Sequence, residues 1–159
     1  MTDILLTTFN FEVYFDRETG DGPQELGDGG FQEVSGLEVE MDVSDLEEGG
    51  RNDGVIRRIG RARFQPLVCK RGMLGPSDGE VDNELWQWFQ DIVAGVRPVR
   101  RYNGTVLVNN QADEPMAVWR FVNAVPAKIV GPQLNATTGA IAIEELHLAH
   151  EGLHLEGTT

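Results

Sequence analysis

Leu37, Val39, Met41 and Val43 alternate with Glu38, Glu40 and Asp42, and this pattern constrains the fold more than any other stretch of the chain. Successive side chains of a β-strand point to opposite faces, so a period of two gathers the apolar residues on one face and three carboxylates on the other. The expectation is a strand with its apolar face on the core and its acids turned away. Phe9, Phe11, Val13 and Phe15 alternate with Asn10, Glu12, Tyr14 and Asp16 in the same way. Arg61, Arg63 and Gln65 alternate with Ala62, Phe64 and Pro66. Proline cannot donate to a ladder, so Pro66 points to an edge or a bulge there.

Further along, 99–108 and 116–130 read as two longer strands joined by a turn around Asn109 to Pro115, with Trp119 and Phe121 facing the core. One helix stands between the strand groups. Leu85, Trp88, Phe89 and Ile92 share a face, Asp82 or Asn83 can cap it, and Gly95 and Pro98 stop it. Trp86 lies off that stripe and reads as a partly buried tryptophan. Residues 141–155 fit a strand with a register shift near Glu144 and Glu145, or a helix using Ile143, Leu146, His150 and Leu153. The β-rich surroundings and Gly152 favour the strand. Residues 20–30 hold five glycines, one proline and three acids, which reads as a surface loop. Residues 45–54 read as a glycine-containing loop or hairpin tip. The expected fold is therefore mainly β: a barrel or sandwich of antiparallel strands with one packed α-helix. It forms a single domain over 1–159, with its core within about 9–153.

Charge narrows the function. The net charge is -13, from 26 acids and 13 bases, which argues against wholesale binding to nucleic acid or an anionic membrane. Acids dominate from Glu12 to Asp53, opposed only by Arg17 and Arg51; then come Arg57, Arg58, Arg61, Arg63, Lys70 and Arg71. This is either a solvated pattern with no role or the basis of self-association, acidic face to basic face of the next copy. A heterologous contact of that kind closes into rings or runs on as filaments. The N-terminus offers no apolar stretch suited to a signal peptide, so synthesis in the cytoplasm is expected. The single cysteine, Cys69, sits in an apolar run and reads as a packed thiol.

One motif invites an enzyme reading. His150-Glu151-Gly152-Leu153-His154 fits the H-E-x-x-H pattern of zinc proteases, where two histidines one helical turn apart bind the metal and the glutamate activates water. Glycine weakens a helix here, and the third ligand would have to be Glu156 or come from far upstream. On a strand the two histidines would lie roughly 13 Å apart, at about 3.3 Å per residue. No catalytic residue, metal ligand or cofactor is therefore assigned. Gly27 to Gly30 lacks the lysine of a phosphate loop, and Ser35, Ser44 and Ser77 lie in no nucleophile motif. Glu47-Glu48 and Glu144-Glu145 read as solvated pairs.

The order of short phrases points elsewhere. Phe9 to Phe15 is followed by Gly-Phe-Gln-Glu-Val-Ser-Gly-Leu at 30–37, Glu-Glu-Gly-Gly-Arg-Asn at 47–52, a strand ending Cys-Lys-Arg-Gly at 69–72, and Leu-Trp-Gln-Trp-Phe at 85–89. Val-Trp-Arg-Phe-Val-Asn-Ala-Val-Pro-Ala-Lys occupies 118–128, and Ala-His-Glu-Gly-Leu occupies 149–153. This series resembles the tail-tube family of contractile phages and extracellular contractile injection systems, over about residues 9–153. The resemblance implies a structural protein: a barrel with one helix, six copies per ring, rings stacked around a lumen that can hold cargo. The implied partners are further copies of the chain, a sheath protein, and spike or baseplate proteins, with no membrane or nucleic acid required. The implied destination is a phage-tail-like particle, released or not from the cell. The resemblance also implies that Glu47, Glu48, Gly49, Gly50, Arg51 and Asn52 reach a neighbouring subunit, and the adjacent Arg57 and Arg58 are assigned to the same contact. Three rivals stand beside it: an adaptor that joins tube to spike, a stand-alone hexameric ring, and, weakest, the zinc hydrolase.

Overall fold

A computed structural model of the chain describes residues 5–7, 10–19, 22–25, 31–50, 52–73 and 83–157. In chain order the elements are β1 (Phe11–Thr19), β2 (Gly22–Glu25), β3 (Phe31–Ser35), β4 (Val39–Leu46), β5 (Ile56–Phe64), β6 (Leu67–Gly72), α1 (Glu84–Val93), β7 (Tyr102–Asn109), β8 (Pro115–Val130), β9 (Ile143–Ala149) and β10 (Gly152–Gly157). Every pairing between them is antiparallel.

β8 organises the body because its 16 residues are long enough to serve two sheets. Its first half pairs with β7 on one edge and with β10 on the other; its second half, from Val125, pairs with β9. The ladder then continues through β9 to β6 and β3, while β7 continues to β1 and β2. The change of partner coincides with Asn123, whose φ of 52° lies in the left-handed region, and with a register shift between Pro126 and Lys128. The expected mainly antiparallel β fold with one helix is what the chain adopts. Residues 22–25 depart from the expected loop over 20–30, since they form β2 against β1; the remainder of that stretch lies outside the described residues.

The core sits where these sheets face one another and where α1 covers them. Phe15 stands edge-on to Phe31, Phe121 and Trp88, at ring separations of 5.9, 6.0 and 6.5 Å. Trp88 and Tyr102 meet at 4.9 Å, and the Trp88 indole N–H donates to the carbonyl of Arg100 at 2.9 Å. Edge-to-face contacts of this kind add to burial because each ring offers its positive rim to another's negative face. Gly104 lies opposite Phe121 in the ladder, and a Cβ there would come within 2.0 Å of that ring, so the glycine makes room for the phenyl group. Leu85 and Trp88 anchor α1, as the apolar stripe requires. Asn83 occupies the N-cap position without a side-chain cap bond, and Asp82 lies outside the described residues. Cys69 is fully buried and burial pushes its thiol up to about 12, so it is the packed, protonated thiol expected of it.

The closing segment forms strands rather than a helix, β9 and β10, and the break between them falls at His150 and Glu151 rather than near Glu144 and Glu145. Glu144 keeps phase with Leu146 and Leu148 on the buried face of β9. The reading of Glu144 as solvated is therefore corrected. Its charge is tolerated inside because Arg71 is its cross-strand partner on β6 and the Trp86 indole N–H donates to its other oxygen at 2.9 Å. Among the described residues, no helix is long and apolar enough to cross a membrane.

Candidate interaction surface

β4 and β5 leave the body as a two-stranded arm. They pair with each other and with no other strand among the described residues. Below them β3 pairs with β6 up to Ser35 opposite Val68; above, the arm's ladder begins at Val39 opposite Phe64. Between these two ladders, Gly36 has a φ of +89°, and a Cβ there would lie 2.1 Å from the Pro66 carbonyl oxygen. Only a glycine admits that close crossing of the two chains. Pro66 thus sits in the link between β5 and β6, where no ladder needs its missing N–H; the strand over residues 61–66 ends at Phe64 and belongs to a ribbon that is edge on both sides.

The arm has two unlike faces. Val39 with Phe64, Met41 with Ala62, and Val43 with Ile59 are cross-strand partners and share one side. The register shift between Met41 and Val43 keeps Ile59 in line with them. On the other side Glu40 lies opposite Arg63 and Ser44 opposite Arg58, and Arg63 pairs with Asp42 at 2.7 Å. The sequence correctly separates apolar from acidic residues in β4, but the apolar side is not in the core. Val39, Met41, Val43 and Ile59 are 52%, 49%, 56% and 74% exposed. The expectation of a core-facing strand is corrected accordingly. Alternation fixes which residues share a face; it does not fix what stands opposite that face.

A lone two-stranded ribbon is marginal in water, and an exposed apolar row on it marks an interaction surface. Glu47, Glu48, Gly49, Gly50 and Asn52 form the arm's exposed tip; Gly50 turns the chain with φ +88°. A Cβ on Gly49 or Gly50 would meet nothing within 4 Å. Arg51 lies outside the described residues. Arg57 faces Asp45, with Nε 3.8 Å from Oδ1, and Arg58 stands exposed across from Ser44. Part of the opposition between acidic and basic stretches is therefore met within the arm itself, β4 against β5.

The H-E-x-x-H residues are spread along the strand junction. His150 Nδ1 and Nε2 lie 3.1 and 3.2 Å from the carbonyls of Gly152 and Gln65. His154 is exposed and its Nε2 lies 3.2 Å from Glu156. Arg120 Nε also pairs with Glu156 at 2.8 Å; it and then His154 hold that carboxyl below its usual range. His147 meets Glu145 at 2.6 Å. Each histidine has its own partners, and among the described residues no three His, Cys, Asp or Glu side chains could hold a metal ion. At the arm's root, an apolar groove bounded by Leu6, Phe11, Val34, Leu37, Val106 and Trp119 has Glu33 as its one titratable group among the described residues. A single carboxylate gives no acid and base pair.

Residues 7–154 match the family of the T4-like virus tail tube protein gp19, and the chain belongs to that family. The same fold occurs in the sheath–tube complex of an extracellular contractile injection system, PVC, in its extended state. There the identity is 22%, the match covers 97% of this chain and 93% of that one, and the TM-score is 0.77. The PVC sheath/tube terminator matches at 21% identity over 99% and 100% of the two chains, with a TM-score of 0.77. A chain of the anti-feeding prophage baseplate matches at 20% identity over 99% and 98%, with a TM-score of 0.74. Among curated proteins none matches. Members of this family are structural tube components, so the role of the chain is structural rather than enzymatic.

Proposed function

We propose that this chain is the inner-tube subunit of a contractile injection system or phage-tail-like particle, built as six-membered rings stacked around a lumen. One observation carries the reading: the apolar side of the β4–β5 arm is uncovered in the single subunit. A tube that must survive sudden sheath contraction needs contacts between copies that outlast the push, and an arm reaching beyond its own body supplies them. The contact runs through Val39, Met41, Val43 and Ile59, with the tip at Glu47, Glu48, Gly49, Gly50, Arg51 and Asn52 and the basic pair Arg57 and Arg58 beside it. Apolar burial provides the stabilisation, and the charges provide register. The partners of such a subunit are further copies, a sheath protein and baseplate proteins, and its destination is the assembled particle. The solved structures of the same fold belong to complexes of those kinds.

The likeness to the baseplate chain favours a second reading, an adaptor that starts the tube on its spike. Electron microscopy of the purified protein separates them. Long stacked tubes are expected of the main subunit; single rings or short stacks that do not lengthen with concentration would assign the adaptor. A protein that stays monomeric at every concentration would overturn both.

A further inference from the structure

The H-E-x-x-H motif joins no cluster of three metal-ligating side chains among the described residues, yet its first histidine occupies a specific place. His150 lies in the break between β9 and β10, and its Nε2 reaches across 85 residues of sequence to the carbonyl of Gln65. Gln65 and Pro66 are one of the two links by which the arm joins the body; the other is 36–38. The ring also rests 5.5 Å from the ring of Phe64, the last residue of β5, and 6.1 Å from that of Phe121 in the core. Its Nδ1 is tied to Gly152 at the start of β10. One imidazole thus touches the arm's root, the core and the strand junction. We infer that His150 is a positioning residue for the arm, a latch that sets its angle on the body. The latch belongs to the single subunit; only its effect on assembly rests on the tube reading.

The chemistry of the latch is unusual because both ring nitrogens face carbonyl oxygens. A neutral imidazole has one N–H and can donate to only one of them. Donation to both would require the imidazolium, and the two carbonyls favour that form. Burial opposes it and is the larger influence, so His150 sits below its ordinary value of 6.5. The groups around the ring carry no charge that would reverse this: Phe64 and the Gln65 carbonyl from the arm's root, Phe121 from β8, and the Gly152 carbonyl from β10. The neighbouring charges are engaged elsewhere, Arg63 with Asp42, Glu151 with Arg101 and Asn123, and His154 with Glu156. The sign follows from linkage. The latched ring holds a proton less readily than a ring released into water. Acidification through the released ring's range therefore favours release, and the latch is fully made only above it.

Hydrogen exchange on the soluble full-length subunit tests this. The readout is the protection of arm amides in β4 and β5 relative to β7 and β9, corrected for intrinsic rates, between about pH 8 and pH 5. Wild type should lose arm protection on acidification while β7 holds. His150→Ala should expose the arm at both pH values, by about five-fold for the loss of one net hydrogen bond. His150→Gln keeps an amide donor for Gln65 and should restore most of the protection but remove the pH response. His154→Gln should behave as wild type. An arm that is equally protected in wild type and His150→Ala overturns the latch. Opening of β9 and β10 to the same extent as the arm overturns it too, because His150 would then serve the strand junction alone. An arm without pH response in wild type overturns its titration. Tube formation, scored separately, reports on the assembly reading and not on this one.

Discussion

Arg71 and Glu144 face each other across β6 and β9, Nε to Oε1 at 2.5 Å, with side chains only 1% and 2% exposed. Such a pair adds little over an apolar replacement, but removing one half is costly because it strips a buried charge of its short cross-strand bond. Trp86 depends on the same carboxylate and ties α1 to the body through it. Glu144→Ala is expected to lower stability by about 3–5 kcal/mol, read from denaturant midpoints, and Glu144→Gln by less, since the amide still accepts. A loss below ~1 kcal/mol, the worth of an exposed pair, would show that the site relaxes to admit water.

The arm's apolar row makes a different prediction. Met41→Gln with Val43→Thr and Ile59→Thr leaves the core untouched and keeps side chains suited to a strand. The subunit should retain its stability to within roughly 0.5 kcal/mol per site, while tubes disappear from micrographs. Normal tubes from the triple variant would mean that assembly uses another surface.

At the tip, Gly49→Val with Gly50→Val should abolish tubes far more than it lowers the melting temperature. Gly50 needs its positive φ, but the open space around both residues means that no core packing is lost. A large fall in melting temperature with loss of soluble subunit would instead assign the tip to the internal fold.

Reversing Arg57 and Arg58 to Glu should weaken ring stacking and leave the monomer folded. Arg57 loses only an exposed pair with Asp45, worth about 0–1 kcal/mol, yet every ring repeats the change around its circumference. Tube length measured across a range of salt is the check, and unchanged lengths at low salt would remove these arginines from the contact.

Metal analysis of the purified protein should find no stoichiometric zinc. His150 and His154 have separate partners, and Glu156 is held by Arg120. One tightly bound zinc per chain, lost in His150→Ala with His154→Ala, would reverse the structural reading of the motif.

Periodicity in the sequence marked the long strands and the helix, because the backbone imposes those spacings locally, but it read 22–25 as loop where β2 forms and left 141–155 open between strand and helix. It placed Leu85 and Trp88 on the buried stripe of α1, and Val13 and Phe15 on the inner face of β1. The ordered phrases from Phe9 to Leu153 determined the family. The tertiary structure decided what stands opposite each face, and this local spacing does not encode. Val39, Met41 and Val43 alternate as cleanly as Val13 and Phe15, yet one row is uncovered and the other is core, because β4 leaves the body at Gly36 and meets only β5. Glu144 looked like half of a solvated acidic pair until Arg71, 73 residues away, came to lie beside it. His150 read only as a histidine on a closing strand, and the fold alone brought Gln65 to its ring. The physical reason is the same in each case: a side chain's chemistry is fixed by its type, but its burial and partners are set by contacts between segments far apart in sequence.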